Sequence, residues 1–293
     1  MHIHPQDFVL TPERSRELIV EFLGVFALCF IGIGAIVATQ GGDLVAIALA
    51  HGLVIGLMVA AAGHISGGAF NPAVTVGLLV ANRITVGKAI SYIVVQVAGG
   101  VVGALAVKAA FPDASTDAVG LGVPQILDDL RWGSAFIGEL IMTFLLMFVI
   151  FGVAVDSHGP RGIAGLAIGL AITMDIFAGG ALTGAAMNPA RAFGPALVQN
   201  IWDDQWLYWV ACPLGAILAA ALYQYVLIPG GETLPDKLAE GDIHDSSGRR
   251  VTTHEAHVAT RVEQEIEHEI VAMESEIQRG EAEDDRNDPV ARG

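Results

Sequence analysis

The chain has 293 residues, of which 53% are hydrophobic and 16% charged, with a mean hydropathy of +0.58. Soluble globular domains carry about 25% charged residues, so this composition argues against an ordinary soluble enzyme. The net charge of −16 is concentrated at one end: residues 231–293 hold 17 acidic and 7 basic side chains, net −10, which leaves −6 for residues 1–230. No basic patch is present to suit a nucleic acid.

Taken in order, residues 1–17 are polar, lack the apolar core and cleavage site of a signal peptide, and are expected to form a cytoplasmic N-terminal segment. A membrane span needs about 20 mostly apolar residues. Six runs meet that length, at about 18–39, 45–63, 87–110, 134–155, 163–182 and 206–228. Two further apolar runs, 71–80 and 188–198, are too short to cross, and each opens on Asn-Pro-Ala. Proline suits a first helical turn because its missing N–H would find no intrahelical partner there. Cys29 and Cys212 lie in separate apolar runs and give no disulfide framework. Arg14, Arg16, Arg83, Lys88, Arg161 and Lys237 fall on one side of the predicted membrane, and Lys108 and Arg131 on the other. The positive side is the cytoplasmic one, which places both termini there.

An internal repeat sets the architecture. Glu21 matches Glu139, Asn71 matches Asn188 and Tyr92 matches Tyr208, at offsets of 118, 117 and 116. The duplicated unit therefore holds three spans and one half-span, over about 18–110 and 134–228. Three crossings is an odd number, so the second copy inserts upside down, and folds of this kind place their site at the midplane. The sequence predicts an all-α membrane protein of six transmembrane helices plus two re-entrant half-helices in an inverted repeat.

Half-helices entering from opposite faces point their N-termini at each other, and each terminus carries about half a positive charge. The amides of Asn71 and Asn188 then offer N–H donors to a narrow lumen. Such a site welcomes a neutral hydrogen-bond acceptor such as water and repels cations. Water held by two donors turns its hydrogens outward, which opposes proton hopping. A single Asn-Pro would be read as a turn; two in register within an inverted repeat point to a pore.

The segments "HISGGAFNPAVT" and "MNPARAFGPAL", with Glu21, Gln96, Glu139 and the repeat, resemble the aquaporin (major intrinsic protein) family. The likeness covers about residues 15–230 and leaves the tail from 231 onward without a counterpart. It implies a pore within each subunit, formed around Asn71, Pro72, Ala73, Asn188, Pro189 and Ala190, and four subunits about a common axis. Counting from the two asparagines, the family's outer constriction falls on His51, Ile176, Ala185 and Arg191. Arg191 carries permanent charge and fixed donors. His51 alone would be read as a satisfied core histidine; as an ionisable group in a span it is a functional candidate.

The set His51, Ile176, Ala185 and Arg191 resembles that of plant tonoplast intrinsic proteins. Glycerol facilitators of the family have a greasier filter and Asp directly after the arginine, where this chain has Ala192; Ala196, Tyr208 and Trp209 also match the water-type members. Water is the expected solute, and the wide filter adds ammonia, with urea and hydrogen peroxide as further candidates. A glycerol facilitator is the alternative, and a proton-coupled transporter is a further one. The likeness implies no catalytic cycle, no cofactor and no metal; water, small neutral solutes, the lipid bilayer and three further copies of the chain are the partners. The cell membrane is the expected host.

Ala69 stands where many members have histidine, and Ala185 where many have a mercury-reactive cysteine. Glu21 and Glu139 would relay protons in a transporter; in aquaporins the matching acids accept hydrogen bonds from the re-entrant backbone. Asp175 replaces an expected small or amide residue and either braces the outer loop or lends charge to the mouth. His64 is expected to shape its loop, and Gly99, Gly100 and Gly103 to mark close helix contacts. Over 251–279 the tail carries an apolar stripe of Val258, Val262, Ile266, Ile270, Met273 and Ile277. The stripe fits either a four-copy cytoplasmic bundle or a marginal helix in an acidic tail. His254 and His257 read as solvated residues of that tail.

Overall fold

A computed structural model describes residues 10–228. The first nine residues and the acidic tail, with its stripe over 251–279, lie outside the described residues. The described residues form nine α-helices, six of them long and apolar enough to cross a membrane.

Helix α1 (Pro12–Thr39) starts earlier than the hydropathy suggests, because Thr11 caps it by accepting from Arg14 N–H and Pro12 occupies the first turn. Its polar first turn therefore belongs to the helix rather than to a separate segment. Helices α2 (Leu44–Ser66) and α4 (Val86–Ala110) open on side-chain caps from Asp43 and Thr85. Between them lies the half-helix α3 (Pro72–Val80). A short helix, α5 (Asp113–Ala118), lies on the connection to the second repeat and has no hydropathy signal. That repeat supplies α6 (Trp132–Ile150), α7 (Ala164–Thr183), the half-helix α8 (Pro189–Gln199) and α9 (Gln205–Leu222). Both α6 and α9 continue into single π-helical turns, Phe151–Val155 and Tyr223–Leu227.

The packing repeats as the sequence does. Helix α1 lies along α4 as α6 lies along α9, and α1 against α2 as α6 against α7. The half-helices interlock: α3 packs chiefly on α9 and α8 chiefly on α4, each on the last long helix of the other repeat. Helices α2 and α7 pack directly on each other, and a Cβ on Gly56 would stand 2.8 Å from the Gly165 carbonyl oxygen. Absent side chains let these backbones touch, the usual device of helix association in lipid. Gly99, Gly100 and Gly103 act in the same way in α4, facing the carbonyls of Phe22, Ala190 and Phe26. Leu57, Val94, Leu166 and Val226 remain exposed on the outer faces, as expected of helices that are apolar all round.

Candidate pore

Each half-helix starts from an asparagine that does two jobs. Asn71 Oδ1 accepts from Ala73 N–H at 2.8 Å, and Asn188 Oδ1 accepts from Ala190 and Arg191 N–H at 3.0 and 3.3 Å. These are N-caps, satisfying donors that no intrahelical carbonyl can reach. The amides then cross over. Asn71 Nδ2 donates to the Met187 carbonyl and Asn188 Nδ2 to the Phe70 carbonyl, both at 2.8 Å. One hydrogen of each amide is thus spent on the facing loop and one remains for the lumen. The crossed pair explains how the two half-helices are registered.

The residues just before each asparagine, Phe70 and Met187, adopt left-handed backbone at φ 48° and 50°. This uncommon geometry for large side chains is held by the two buried acids. Glu21 accepts from Ser66 Oγ (2.7 Å), Ala69 N (3.0 Å), Phe70 N (2.7 Å) and Gln96 Nε2 (2.8 Å). Glu139 accepts from Thr183 Oγ1 (2.6 Å), Ala186 N (2.8 Å), Met187 N (2.9 Å) and Cys212 Sγ (3.5 Å). Tyr92 and Tyr208 hydroxyls donate to the Ser66 and Thr183 carbonyls at 2.7 and 2.8 Å. Ser66, Thr183 and the two tyrosines escaped assignment from sequence, although the repeat aligns them. The clamps differ at one point. Gln96 also bonds Thr75, whereas the matching pair in the second repeat is Cys212 and Ala192.

One narrow cavity brings together Asn71, Asn188, His51, Ile176, Ala185 and Arg191. Its volume is about 40 Å³, on a measure in which one water takes ~10–15 Å³. Leu28, Ile55, Leu146, Ile150, Ile168 and Ile172 supply an aliphatic wall. An outer vestibule of about 300 Å³ shares His51, Ile176 and Arg191 with that cavity, so these residues line the neck between them. Arg191 is buried and donates from Nη1 to the Gly122 carbonyl at 3.1 Å, which ties it to the connection after α5.

His51 is held by its own helix. Its Nδ1 lies 2.8 Å from the Ile47 carbonyl, an acceptor only, so Nδ1 carries the proton. Nε2 is buried without a hydrogen-bond partner among the described residues. The neck therefore takes its hydrogen-bond donors from Arg191, and His51 contributes ring surface. Asp175 is 1% exposed, its Oδ2 is buried without a hydrogen-bond partner among the described residues, and it is not among the residues lining the narrow cavity. Neither a brace for the outer loop nor a charge at the mouth describes it. His64 is exposed on the last turn of α2, away from the lumen, and Ala69 lines the cavity. Among the described residues no cluster of His, Cys, Asp or Glu could hold a metal ion.

The family profile described as Major intrinsic protein matches residues 9–223. The chain is 40% identical over 235 residues to the "Probable aquaporin TIP3-2" of Arabidopsis thaliana, covering 74% of this chain and 86% of that one. It is 38% identical over 232 residues to the mouse (Mus musculus) protein "Aquaporin-4", covering 76% of this chain and 71% of that one. Among solved structures it is similar to the aquaglyceroporin from Plasmodium falciparum, with a TM-score of 0.65, 27% identity, and coverage of 74% and 98%. Six apolar helices, two interlocked Asn-Pro-Ala half-helices and these likenesses agree: the chain belongs to the major intrinsic protein family, the aquaporins, which are passive multi-pass membrane channels for water and small neutral solutes and not enzymes.

Proposed function

We propose that this channel conducts water, with ammonia and, through the same neck, urea or hydrogen peroxide, and that it excludes ions and protons. The observation carrying this reading is the neck itself, where Arg191 offers fixed donors and a permanent charge opposite Ile176 and the ring of His51. A cation entering there meets that charge and then the positive ends of α3 and α8. The lumen beyond is narrow and mostly aliphatic, so a passing molecule holds few bonds and leaves easily. Ile176 stands where strict water pores have an imidazole and Ala185 where many members have a larger cysteine, which favours ammonia. Glycerol is disfavoured because the neck lacks the Trp and Phe side chains that would take an alkyl backbone. We further propose four pore-bearing subunits about a common axis and both termini on the cytoplasmic side, where Arg14, Arg83, Lys88 and Arg161 gather. The relatives pair TIP-type proteins with aquaporin-4 proteins and do not single out the cell membrane as host.

Stopped-flow permeability of the purified protein in liposomes tests the solutes, with His51→Ala and Arg191→Val beside the wild type. Water and ammonia flux above empty vesicles, little glycerol flux and no proton leak are expected. Vesicles that pass water but neither ammonia, urea nor peroxide would remove the wider selectivity.

A further inference from the structure

Gly32 lies on α1, buried, and faces the tip of the His51 ring. A Cβ at this position would clash with Nε2 and stand 2.6 and 2.7 Å from Cδ2 and Cε1 of that ring. Separations below 3.0 Å force a shift. The ring has little freedom to comply, since Nδ1 is bonded to the Ile47 carbonyl at 2.8 Å and the residue is 3% exposed. The lumen is the open side.

The second repeat shows the same position filled. At the offsets that relate Glu21 to Glu139 and Asn71 to Asn188, Gly32 corresponds to Ile150 and His51 to Ile168. Both isoleucines line the narrow cavity. A bulky residue thus occupies this site opposite Ile168, and hydrogen alone occupies it opposite His51.

We infer that Gly32 is a specificity-determining residue of this channel: the notch left by its missing side chain receives the His51 ring and sets the width of the outer neck. The inference rests on the reading of His51 as a neck residue. Gly32 touches no passing solute; it acts through the ring it lets recede. Glycine costs a helix interior stability relative to alanine, so the notch runs against helix propensity.

The test is epistasis between Gly32→Ala and His51→Ala in the full chain, reconstituted in liposomes and read by stopped-flow with water, ammonia and urea as probes. Gly32→Ala is expected to lower water flux about tenfold, the effect of ~1.4 kcal/mol of added barrier, and to lower urea flux more. Gly32→Ala/His51→Ala is expected to match His51→Ala, because no ring remains to displace. If Gly32→Ala alone does not fold, recovery of folded, conducting protein in the double variant carries the same support. Unchanged flux in Gly32→Ala, a loss that His51→Ala does not relieve, or failure of both variants to fold overturns the inference. If His51→Ala itself alters neither flux nor solute ratio, the neck reading fails and takes this inference with it.

Discussion

Replacing Glu139 by glutamine keeps the size of the side chain and removes one acceptor oxygen. In the wild type Oε1 receives Thr183 Oγ1 and Ala186 N, and Oε2 receives Met187 N and Cys212 Sγ. In Glu139→Gln one pair meets a neutral oxygen and the other meets an NH2 group. With that group toward Met187, a backbone N–H of a left-handed residue is buried without an acceptor. An orphaned buried donor costs about 1–3 kcal/mol, and the lost charge assistance adds to it. Together the loss is about 3–5 kcal/mol, or a drop in unfolding midpoint on the order of 10 °C for a domain of this size. Circular dichroism of the detergent-solubilised protein measures it. A midpoint within ~2 °C of wild type would show that the acid does not hold the second half-helix. The same variant separates channel from carrier. Folded Glu139→Gln should conduct water per subunit as the wild type does and show no dependence on a pH gradient, whereas a proton-coupled carrier would lose its coupling.

Three further outcomes are expected. Arg191→Val removes the charge at the neck and the bond to Gly122, so proton and cation leak should appear while water flux persists; vesicles that stay proton-tight would place the barrier at the half-helix ends alone. Mercuric chloride should leave wild-type flux largely intact, because Cys29 and Cys212 are both 0% exposed, and Ala185→Cys should confer inhibition reversed by thiol. Cys212→Gln should destabilise the protein, since the new amide oxygen would face Ala192. Adding Ala192→Thr should restore the midpoint by rebuilding the Gln96–Thr75 arrangement of the first repeat, and a double variant no better than the single would contradict this.

The spans, the two half-helices and the duplicated unit were legible from sequence because they rest on one-dimensional signals: run length, Asn-Pro at a helix start, and three landmarks at one spacing. Boundaries held except at α1, where Thr11 and Pro12 begin a helix that hydropathy overlooks because Glu13, Arg14, Arg16 and Glu17 follow. Glu21 and Glu139 accept from the re-entrant backbone, an arrangement that only the family pattern suggested. Hydropathy by itself cannot tell an acid that accepts four bonds from one, such as Asp175, whose Oδ2 accepts none among the described residues.

By itself the sequence determined that the chain spans a membrane six times and turns back twice, since burying backbone in lipid demands helices of set length and caps at their ends. Tertiary structure decided which partners the buried polar atoms find. Asn71 and Asn188 each commit one amide hydrogen to the opposite loop, and His51 turns Nε2 toward a glycine rather than the lumen. Such choices follow from how helices rotate and cross, and from whether a residue on another helix has a side chain at the point of contact. Gly32 and His51, nineteen positions apart in sequence, meet only because α1 packs against α2.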